Sequence, residues 1–321
     1  MKAVYIEQLG GADALRYGDF PTPEPGPGQA LVKVAASGVN YIDVYHRIGV
    51  YKLPLPMVLG SEGAGTVEKV AAGVTNVKPG DRVAWAMARG SYAEYAAVPE
   101  GFLVKIPANV EFRDAAAIML QGMTAHYLTH STFPLKQGHS CLVHAAAGGT
   151  GLLVVQMAKM LGARVIATVG SREKAEIAKK AGSDELILYN DQDFVAEVKR
   201  LTNGAGVDVV YDGVGQATFL KGLDCLRPRG MMVSFGNASG PVAAFELLLL
   251  SQKGSLFVTR PSLNNHASPD ELKWRSGDLF RWIAEKKLTL RVEHVYKLTD
   301  AAQAHRDLEG RKTTGKLVLM V

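Results

Sequence analysis

Short apolar stretches and turn residues alternate throughout residues 1–120. Apolar runs predict strands at Ala30–Ser37 and Ala64–Val70, and the Pro- and Gly-rich residues 21–28 predict a stiff loop between strands. Many short strands separated by turns are typical of a β-barrel-like domain. The first third of the chain is therefore expected to be mainly β.

From about Arg113 the pattern changes to a helix and then to alternating strands and helices. Apolar runs predict strands at Glu185–Leu188, Val207–Asp212, Gly230–Phe235 and Ser255–Val258. Amphipathic stretches between them predict helices at Arg172–Ala181, Phe194–Leu201 and Ala217–Leu226. Such alternation predicts an α/β fold with a doubly wound parallel sheet.

The C-terminal residues 268–321 exceed what such a sheet needs. They predict, in order, a helix, a strand, a helix and a strand at Glu271–Glu285, Glu293–Lys297, Asp300–Glu309 and Lys316–Met320. We expect this tail to return to the first domain. The predicted domains are residues 1–122 with 262–321, and residues 123–261.

One segment carries a specific chemical signal, Ser140–Gly162. It predicts a buried strand at Cys141–His144, a glycine turn at Ala145–Gly151 and a helix at Leu152–Leu161, followed by a strand at Arg164–Thr168. This order of elements is the opening βαβ unit of a Rossmann-type dinucleotide-binding domain.

The glycines of the turn explain why a diphosphate fits there. Gly148, Gly149 and Gly151 lack Cβ atoms, so phosphates can approach the unpaired N–H groups of the helix N-terminus. The spacing is a variant of the usual G-x-G-x-x-G, and the flanking strands and helix supply the context that the motif requires.

The end of the second strand favours NADPH over NADH. An NAD site usually places an acid there to bind the ribose 2′-hydroxyl, whereas this chain has Ser171, Arg172 and Lys174. A 2′-phosphate is an anion and prefers such donors. Glu173 is expected to point to solvent and favour the helix dipole.

Composition adds limits to this picture. Charged residues make up 21% of the 321 residues and the net charge is +5 without a basic run, which favours anionic ligands over dedicated nucleic-acid binding. The two cysteines, Cys141 and Cys225, are expected in the core of a protein in a reducing cytosol. The N-terminus begins as a strand, and the apolar stretch Pro241–Leu250 is too short to span a bilayer. We expect a soluble cytoplasmic protein.

Several motifs together carry a family resemblance. They are Gly38-Val39-Asn40-Tyr41-Ile42-Asp43, Leu59-Gly60-Ser61-Glu62-Gly63-Ala64-Gly65, Gly80-Asp81-Arg82-Val83, the segment from His144 to Gly151, Val233-Ser234-Phe235-Gly236-Asn237 and Val258-Thr259-Arg260-Pro261. With these motifs the whole chain resembles the medium-chain dehydrogenase/reductase superfamily, and within it the NADPH:quinone oxidoreductases related to zeta-crystallin. Enoyl and alkenal reductases share most of the motifs.

The resemblance implies a GroES-like catalytic domain beside the NADPH-binding Rossmann domain, and a homodimer, with a tetramer left open. The apolar stretch Phe245–Val258 is either core or an edge that pairs with a second subunit.

Zinc-dependent members of the superfamily carry a cysteine at Asn40 or its neighbour and a histidine at Ser61, and this chain has neither. His126 and His130 have helical ligand spacing, but no third ligand is in view. We therefore predict no metal and hydride transfer from NADPH to a quinone, whose reduced oxygens take protons from water.

The resemblance also assigns the site. It implies four residues around the nicotinamide and the substrate, Asn40, Tyr45, Tyr51 and Gln121. It implies cofactor contacts from Asn40, Thr124, Gly148, Gly149, Thr150, Gly170, Ser171, Lys174, Tyr189, Val214, Phe235, Asn237, Val258, Arg260 and Arg311. The tyrosines either donate a hydrogen bond to the reduced substrate or only pack beside it.

Two other functions remain open at the level of the sequence. An enoyl or alkenal reductase must protonate carbon and would depend more on Tyr45 or Tyr51. A nucleotide- or RNA-binding protein without turnover would also keep the glycine turn, although the chain lacks an aromatic and basic platform.

Overall fold

The computed structural model describes residues 1–321, which form two compact units. Unit 1 comprises Met1–Met123 and Ala267–Val321, and unit 2 comprises Thr124–His266. The elements up to residue 127 are β1 Lys2–Ile6, β2 Arg16–Asp19, β3 Gln29–Val39, α1 Tyr41–Ile48, β4 Met57–Val58, β5 Glu62–Val70, β6 Arg82–Ala86, β7 Tyr95–Pro99, β8 Val104–Lys105 and α2 Phe112–Tyr127.

The elements of the remaining chain follow the predicted alternation. They are β9 Ser140–Val143, α3 Gly149–Met160, β10 Arg164–Val169, α4 Arg172–Lys180, β11 Glu185–Leu188, α5 Phe194–Leu201, β12 Val207–Asp212, α6 Phe219–Gly222, β13 Leu226–Ser234, α7 Leu248–Gln252 and β14 Phe257–Thr259. The tail contains α8 Pro269–Ala284, β15 His294–Lys297, α9 Ala301–Glu309 and β16 Leu317–Met320.

Unit 1 contains two sheets. One has seven strands, in the order β15-β16-β3-β5-β6-β8 with β7 paired to β3, and the other has the order β2-β1-β4. The tail strand β16 runs antiparallel to β3 and sets Leu317 opposite Val39. This pairing brings the residues next to them, Lys316 and Asn40, into contact.

Unit 2 is built on a six-stranded sheet in the order β11-β10-β9-β12-β13-β14, whose strand pairs are all parallel. The chain order reverses at the β9–β12 pair, which is the place where such sheets bind ligands at their carboxyl ends. One face packs a core that includes Leu142, Ile166, Val210 and Met232. The predicted α/β class with a doubly wound parallel sheet is confirmed.

Two predicted helix boundaries were wrong. The helix after the glycine turn begins at Gly149 rather than Leu152, because the backbone at Gly148 is extended and N-caps α3. The helix predicted over Ala217–Leu226 is only the short α6 and a 3-10 turn, because Leu226 already belongs to β13 and lies opposite Val207. At Leu226, hydrogen bonding to β12 therefore determines the local structure, although the sequence pattern there is helical.

None of the helices combines the length and the hydropathy that crossing a bilayer requires.

Candidate functional site

The glycine turn of unit 2 leads directly into α3. Ala145 adopts a left-handed conformation with φ of 51°, and its carbonyl accepts the Gly148 N–H at 2.9 Å. A Cβ on Gly151 would lie 2.4 Å from the Ala145 carbonyl oxygen, so this position requires glycine. The first N–H groups of the helix, at Gly149 and Thr150, have no acceptor within the helix, which is the arrangement that an anion at a helix N-terminus requires.

The turn after β10 groups four of the predicted cofactor residues. Ser171 N-caps α4, and its hydroxyl accepts the Lys174 N–H at 3.3 Å. A Cβ on Gly170 would lie 2.6 Å from the Tyr189 hydroxyl, so these two residues are in contact. Tyr189 is half-exposed beside them. The carboxyl ends of β10 and β11 therefore present one polar surface.

Glu173 is exposed in this turn, and it also contacts Ser171. The Ser171 hydroxyl donates to the Glu173 carboxylate, and this hydrogen bond holds the pKa of Glu173 below its usual range. The side chain therefore stays close to the turn instead of extending fully into solvent. A bound 2′-phosphate would compete with this carboxylate for the Ser171 hydroxyl.

The loops after β12 and β13 are joined by main-chain hydrogen bonds, and a buried carboxylate shapes the first of them. Asp212 Oδ1 accepts the N–H groups of Val214 at 2.8 Å and Gly215 at 3.1 Å, and Ser239 N–H donates to the Val214 carbonyl at 2.8 Å. A Cβ on Gly215 would lie 3.2 Å from Asn237 Cα. The structure thus brings Val214 and Asn237 together.

Two other predicted cofactor residues of unit 2 contact these loops or the strand end before them. Phe235 packs its ring against Gly213, and the Arg260 guanidinium donates to the Ser234 carbonyl at 2.9 Å. Val258 lies in the edge strand β14 and is exposed, whereas Thr124 is buried. Arg260 is therefore engaged with the main chain rather than with a surface carboxylate.

Three of the predicted substrate residues share α1 and the loop that follows it in unit 1. Asn40 N-caps α1 and is 3% exposed, whereas Tyr51 is 44% exposed. The rings of Tyr45 and Tyr51 meet edge to face with their centroids 6.2 Å apart. Tyr51 is therefore accessible from the surface, whereas Asn40 is buried within the unit.

Gln121 lies in α2, and its Oε1 is buried without a hydrogen-bond partner. A buried carbonyl oxygen without a partner is uncommon and marks a place where a donor can bind. Arg311, the remaining predicted cofactor residue, also belongs to unit 1 and has a positive φ of 55°. It lies near Tyr41, and its charge opposes the burial that raises the pKa of Tyr41.

The buried ion pair of Glu62 and Lys316 contacts both ends of the Asn40 amide. The Lys316 ammonium donates to Asn40 Oδ1 at 2.7 Å and to Glu62 Oε2 at 2.5 Å, and Asn40 Nδ2 donates to Glu62 Oε2 at 2.9 Å. Burial lowers the pKa of Lys316, while the Glu62 carboxylate raises it. Because the carboxylate is in direct contact, the ammonium form is the one that fits this arrangement.

A second series of buried, hydrogen-bonded side chains begins at Asp43 in α1. Asp43 accepts from the Ser61 hydroxyl at 2.7 Å and from Tyr92 at 3.3 Å, and burial raises the pKa of Asp43 to about 6. Arg47 donates to His305 Nδ1 at 2.9 Å. Since a guanidinium only donates, the His305 proton lies on Nε2, which faces the Tyr92 hydroxyl at 3.1 Å.

The cluster at Asn40 does not fit zinc. Zinc needs deprotonated sulfur, nitrogen or oxygen ligands grouped in space, whereas the positions at issue hold an amide, a hydroxyl and a lysine ammonium. No three His, Cys, Asp or Glu side chains come together in a group able to hold a metal ion. His126 and His130 stack with their ring centroids 4.1 Å apart and have no third ligand.

Sequence reasoning missed Lys316 and treated Glu62 only as part of a motif. A glutamate inside an apolar and glycine-rich strand, Glu62–Val70, was a usable signal, because an acid in such a strand needs a buried partner. No pattern identified the lysine as that partner, since it lies 254 residues further along the chain.

Two protein families match the chain. The family described as zinc-binding dehydrogenase matches residues 149–270, and the family described as alcohol dehydrogenase GroES-like domain matches residues 26–108. The second match confirms the GroES-like fold expected of the N-terminal region.

Individual relatives are similar over their full length. The quinone oxidoreductase of Pseudomonas aeruginosa is 45% identical over 99% of both chains. The crystal structure of Escherichia coli quinone oxidoreductase complexed with NADPH is 42% identical and covers 100% of both chains with a TM-score of 0.98. The 2-haloacrylate reductase of a Burkholderia species is 42% identical over 99% of this chain and 98% of its own. The chain therefore belongs to the medium-chain dehydrogenase/reductase superfamily and, within it, to the quinone oxidoreductase family, as its motifs predicted.

Proposed function

We propose that this protein is a zinc-independent NADPH:quinone oxidoreductase. One observation carries the proposal: an intact glycine turn before α3, in a chain that aligns end to end with an NADPH-bound quinone oxidoreductase. Residues 1–122 and 262–321 form the proposed catalytic domain, and residues 123–261 form the NADPH-binding domain.

The residues of unit 2 are suited to holding NADPH. Gly148, Gly149 and Thr150 offer main-chain donors to the diphosphate, and Ser171 and Lys174 offer a hydroxyl and a cation to the 2′-phosphate. The remaining proposed contacts are Asn40, Thr124, Gly170, Tyr189, Val214, Phe235, Asn237, Val258, Arg260 and Arg311.

NADPH supplies a hydride when it is bound, and a quinone is electrophilic enough to accept it without a Lewis acid. The protein then has to orient the substrate and stabilise charge on its oxygen. We assign the hydrogen bond to the exposed hydroxyl of Tyr51, with Tyr45 packed against it. Gln121 offers an unsatisfied acceptor, and Asn40 completes the proposed set.

Reduction of an activated C=C bond is the second candidate function. The 42% identity to a 2-haloacrylate reductase over nearly the full chain favours it. In that reaction a carbon must be protonated, so a tyrosine hydroxyl would act as an acid rather than only as a donor.

A panel of acceptors distinguishes these functions. NADPH oxidation is measured with 1,4-benzoquinone, 9,10-phenanthrenequinone, an enal and crotonyl-CoA, with a chelator present throughout. We expect turnover with the quinones only. Turnover confined to the enal or the thioester would replace the proposal with C=C reduction. Tight NADPH binding without any turnover would instead indicate a nucleotide- or RNA-binding role.

A homodimer is the proposed assembly, with a small-molecule quinone as substrate and neither membrane nor nucleic acid as partner. Phe257 in the edge strand β14 is 57% exposed, and Leu247 and Leu248 at the start of α7 are 77% and 65% exposed. Large exposed apolar side chains beside an unpaired strand edge are suited to pairing with a second copy. Light scattering of wild type and of Phe257→Lys tests this assembly, since the charge should yield monomers.

A cytoplasmic location is proposed as well. Cys141 and Cys225 are both free and buried, which is suited to a reducing compartment. Burial raises the pKa of both thiols, so neither is a reactive thiolate.

A further inference from the structure

Unit 1 encloses a carboxylate and an ammonium in contact with one amide. Asn40, Glu62 and Lys316 are 3%, 0% and 2% exposed, so water does not screen their interaction. Charged side chains are rarely buried so completely. Replacing a buried ion pair by apolar residues of similar volume often gives equal or greater stability, so stability alone does not explain this pair.

The lysine fixes the direction in which the Asn40 amide faces. An ammonium has only donors, so the group at 2.7 Å from it must be the carbonyl oxygen of the amide. The amide nitrogen then donates to Glu62 Oε2 at 2.9 Å and to the Gly38 carbonyl at 3.3 Å. A flipped amide would set its N–H groups against the ammonium.

The other oxygen of Glu62 reaches a second part of the proposed site. Glu62 Oε1 accepts the main-chain N–H of Leu120 at 2.6 Å, next to Gln121 in α2. The close approach depends on Gly38, where a Cβ would lie 2.2 Å from Glu62 Oε2 and 2.5 Å from the Ala116 carbonyl oxygen. One carboxylate therefore links Asn40 to the main chain of α2 at Leu120, the residue before Gln121.

We propose that Glu62 and Lys316 are positioning residues that set the orientation of the Asn40 amide and the location of Gln121. They act through Asn40 rather than on the cofactor or the substrate directly. This inference rests on the proposed function, in which Asn40 contacts the nicotinamide side of the site. A pair that serves stability alone would be replaceable by any neutral pair of similar size.

The test combines charge removal with a mutant cycle. The double variant Glu62→Gln/Lys316→Met removes both charges, so no unpaired charge is left buried, yet the methionine side chain has no donor for the Asn40 oxygen. It is compared with Asn40→Ala and with the triple variant. For each protein we measure the melting temperature, the NADPH Kd by fluorescence, and kcat and KM with 1,4-benzoquinone.

We expect the double variant to fold and melt near wild type while it loses about tenfold in kcat/KM or NADPH affinity. Asn40→Ala should lose a similar factor, and the triple variant should be no worse than Asn40→Ala, because residues that act through one group are not additive. Wild-type constants in the double variant or in Asn40→Ala would overturn the proposal. So would losses that multiply in the triple variant.

Two further variants serve as a control for the loss of a lysine and as a substitute for the double variant. Lys69→Met removes an exposed lysine of unit 1 that pairs with Glu24, and it should match wild type in every constant. Should the double variant fail to fold, Gly38→Ala displaces Glu62 without changing any charge. It should show the same loss as Asn40→Ala, and wild-type constants there would overturn the proposal.

The NADPH Kd keeps the two proposals distinguishable. If wild type binds NADPH but reduces no quinone, the proposed function fails. The cycle in NADPH affinity still decides whether Glu62 and Lys316 act through Asn40.

Discussion

The two units bury different kinds of polar groups. Unit 1 buries five charged side chains, Asp43, Arg47, Glu62, Arg275 and Lys316. Among the Asp, Glu, Lys and Arg residues of unit 2, only Asp212 is buried, and it accepts mainly from nearby main-chain N–H groups. Unit 1 is therefore organised by ion pairs and unit 2 by backbone geometry.

Sequence separation explains why this difference matters. In unit 1, Arg47 and Glu309 are 262 residues apart. In unit 2, Ser171 caps the N–H of Lys174 at a separation of 3 residues, and Asp212 accepts from Val214 at a separation of 2. Contacts of the second kind form wherever the local motif occurs, whereas those of the first kind exist only in the folded unit.

The largest expected effect comes from breaking an ion pair of unit 1. Arg47 is 1% exposed and donates to both carboxylate oxygens of Glu309 at 2.8 and 2.9 Å. Arg47→Met leaves the buried His305 Nδ1 and the Gly10 carbonyl without their donor, and it leaves Glu309, which is 35% exposed, without its partner. The expected cost is about 2–3 kcal/mol of unfolding free energy. Urea denaturation followed by circular dichroism measures the loss.

The matched variant in unit 2 is Lys159→Met. Its pair with Asp184 is about one-third exposed on both sides, at 35% and 36%. Water screens such a pair, so the expected loss is at most about 1 kcal/mol. Equal losses in the two variants would remove the distinction between the units.

Acid should weaken unit 1 through its buried neutral histidine. Burial lowers the pKa of His305 from its ordinary 6.5 to about 3, so the folded protein keeps the ring neutral where the unfolded chain protonates it. Stability is then full above pH 6.5 and falls by about 1.4 kcal/mol per pH unit below it. His46, whose pKa burial lowers to about 4, acts in the same direction.

The variant His305→Asn isolates this contribution. An asparagine amide can accept from Arg47 and donate to Tyr92, but it does not titrate. Asp43 opposes the histidines, because its pKa is raised to about 6 and its contribution grows as the pH falls towards 3.8. We expect the two proteins to be similar near pH 7.5 and the variant to lose less stability between pH 6.5 and 4. Parallel curves in that range would contradict the assignment.

A change of main-chain geometry should affect unit 2 more than the loss of the Lys159 charge does. In Gly151→Ala the new Cβ would lie 2.4 Å from the Ala145 carbonyl oxygen and 2.9 Å from Ala146 Cα, and both are main-chain atoms. The turn has to open, so the NADPH Kd should rise by about tenfold or more. Fluorescence titration measures it.

Gly277→Ala is the control for that substitution. Gly277 lies in α8 of unit 1 with nothing within 4 Å of its would-be Cβ. Alanine in a helix is favoured over glycine by about 1 kcal/mol, so this variant should bind NADPH normally and melt no lower than wild type. A similar loss of NADPH affinity in both variants would mean that the turn is not the diphosphate site.

The smallest expected change in NADPH affinity concerns the choice between NADPH and NADH. Lys174→Ala removes a charged hydrogen bond to the proposed 2′-phosphate, so NADPH affinity should fall by about tenfold. NADH affinity should hardly change, and Lys179→Ala in the last turn of the same helix should change neither. An equal loss for both cofactors would contradict the role of Lys174.

Much of unit 2 could be predicted because its signals are local. The bounds of β11, β12 and α5 agree with the apolar runs and the amphipathic stretch that predicted them. The helix predicted over Ala217–Leu226 is present only as α6 and a 3-10 turn that ends at Cys225, because Leu226 pairs with Val207 in the sheet and strand pairing is not a local signal.

The part of the candidate site that lies in unit 2 was also predictable from local signals, whereas the features in unit 1 were not. The glycine turn and the polar residues after β10 follow from strand–turn–helix order alone. The exposure of Tyr51 and the unpartnered oxygen of Gln121 required the packed structure.

The order of residues was enough to specify the parallel nucleotide-binding sheet and the glycine turn. Folding of unit 1 was needed to pair β16 with β3 and so to bring Lys316 to the Asn40 amide and Glu62. The physical reason is that main-chain geometry is set by neighbouring residues, whereas a buried ion pair depends on distance and on the exclusion of water.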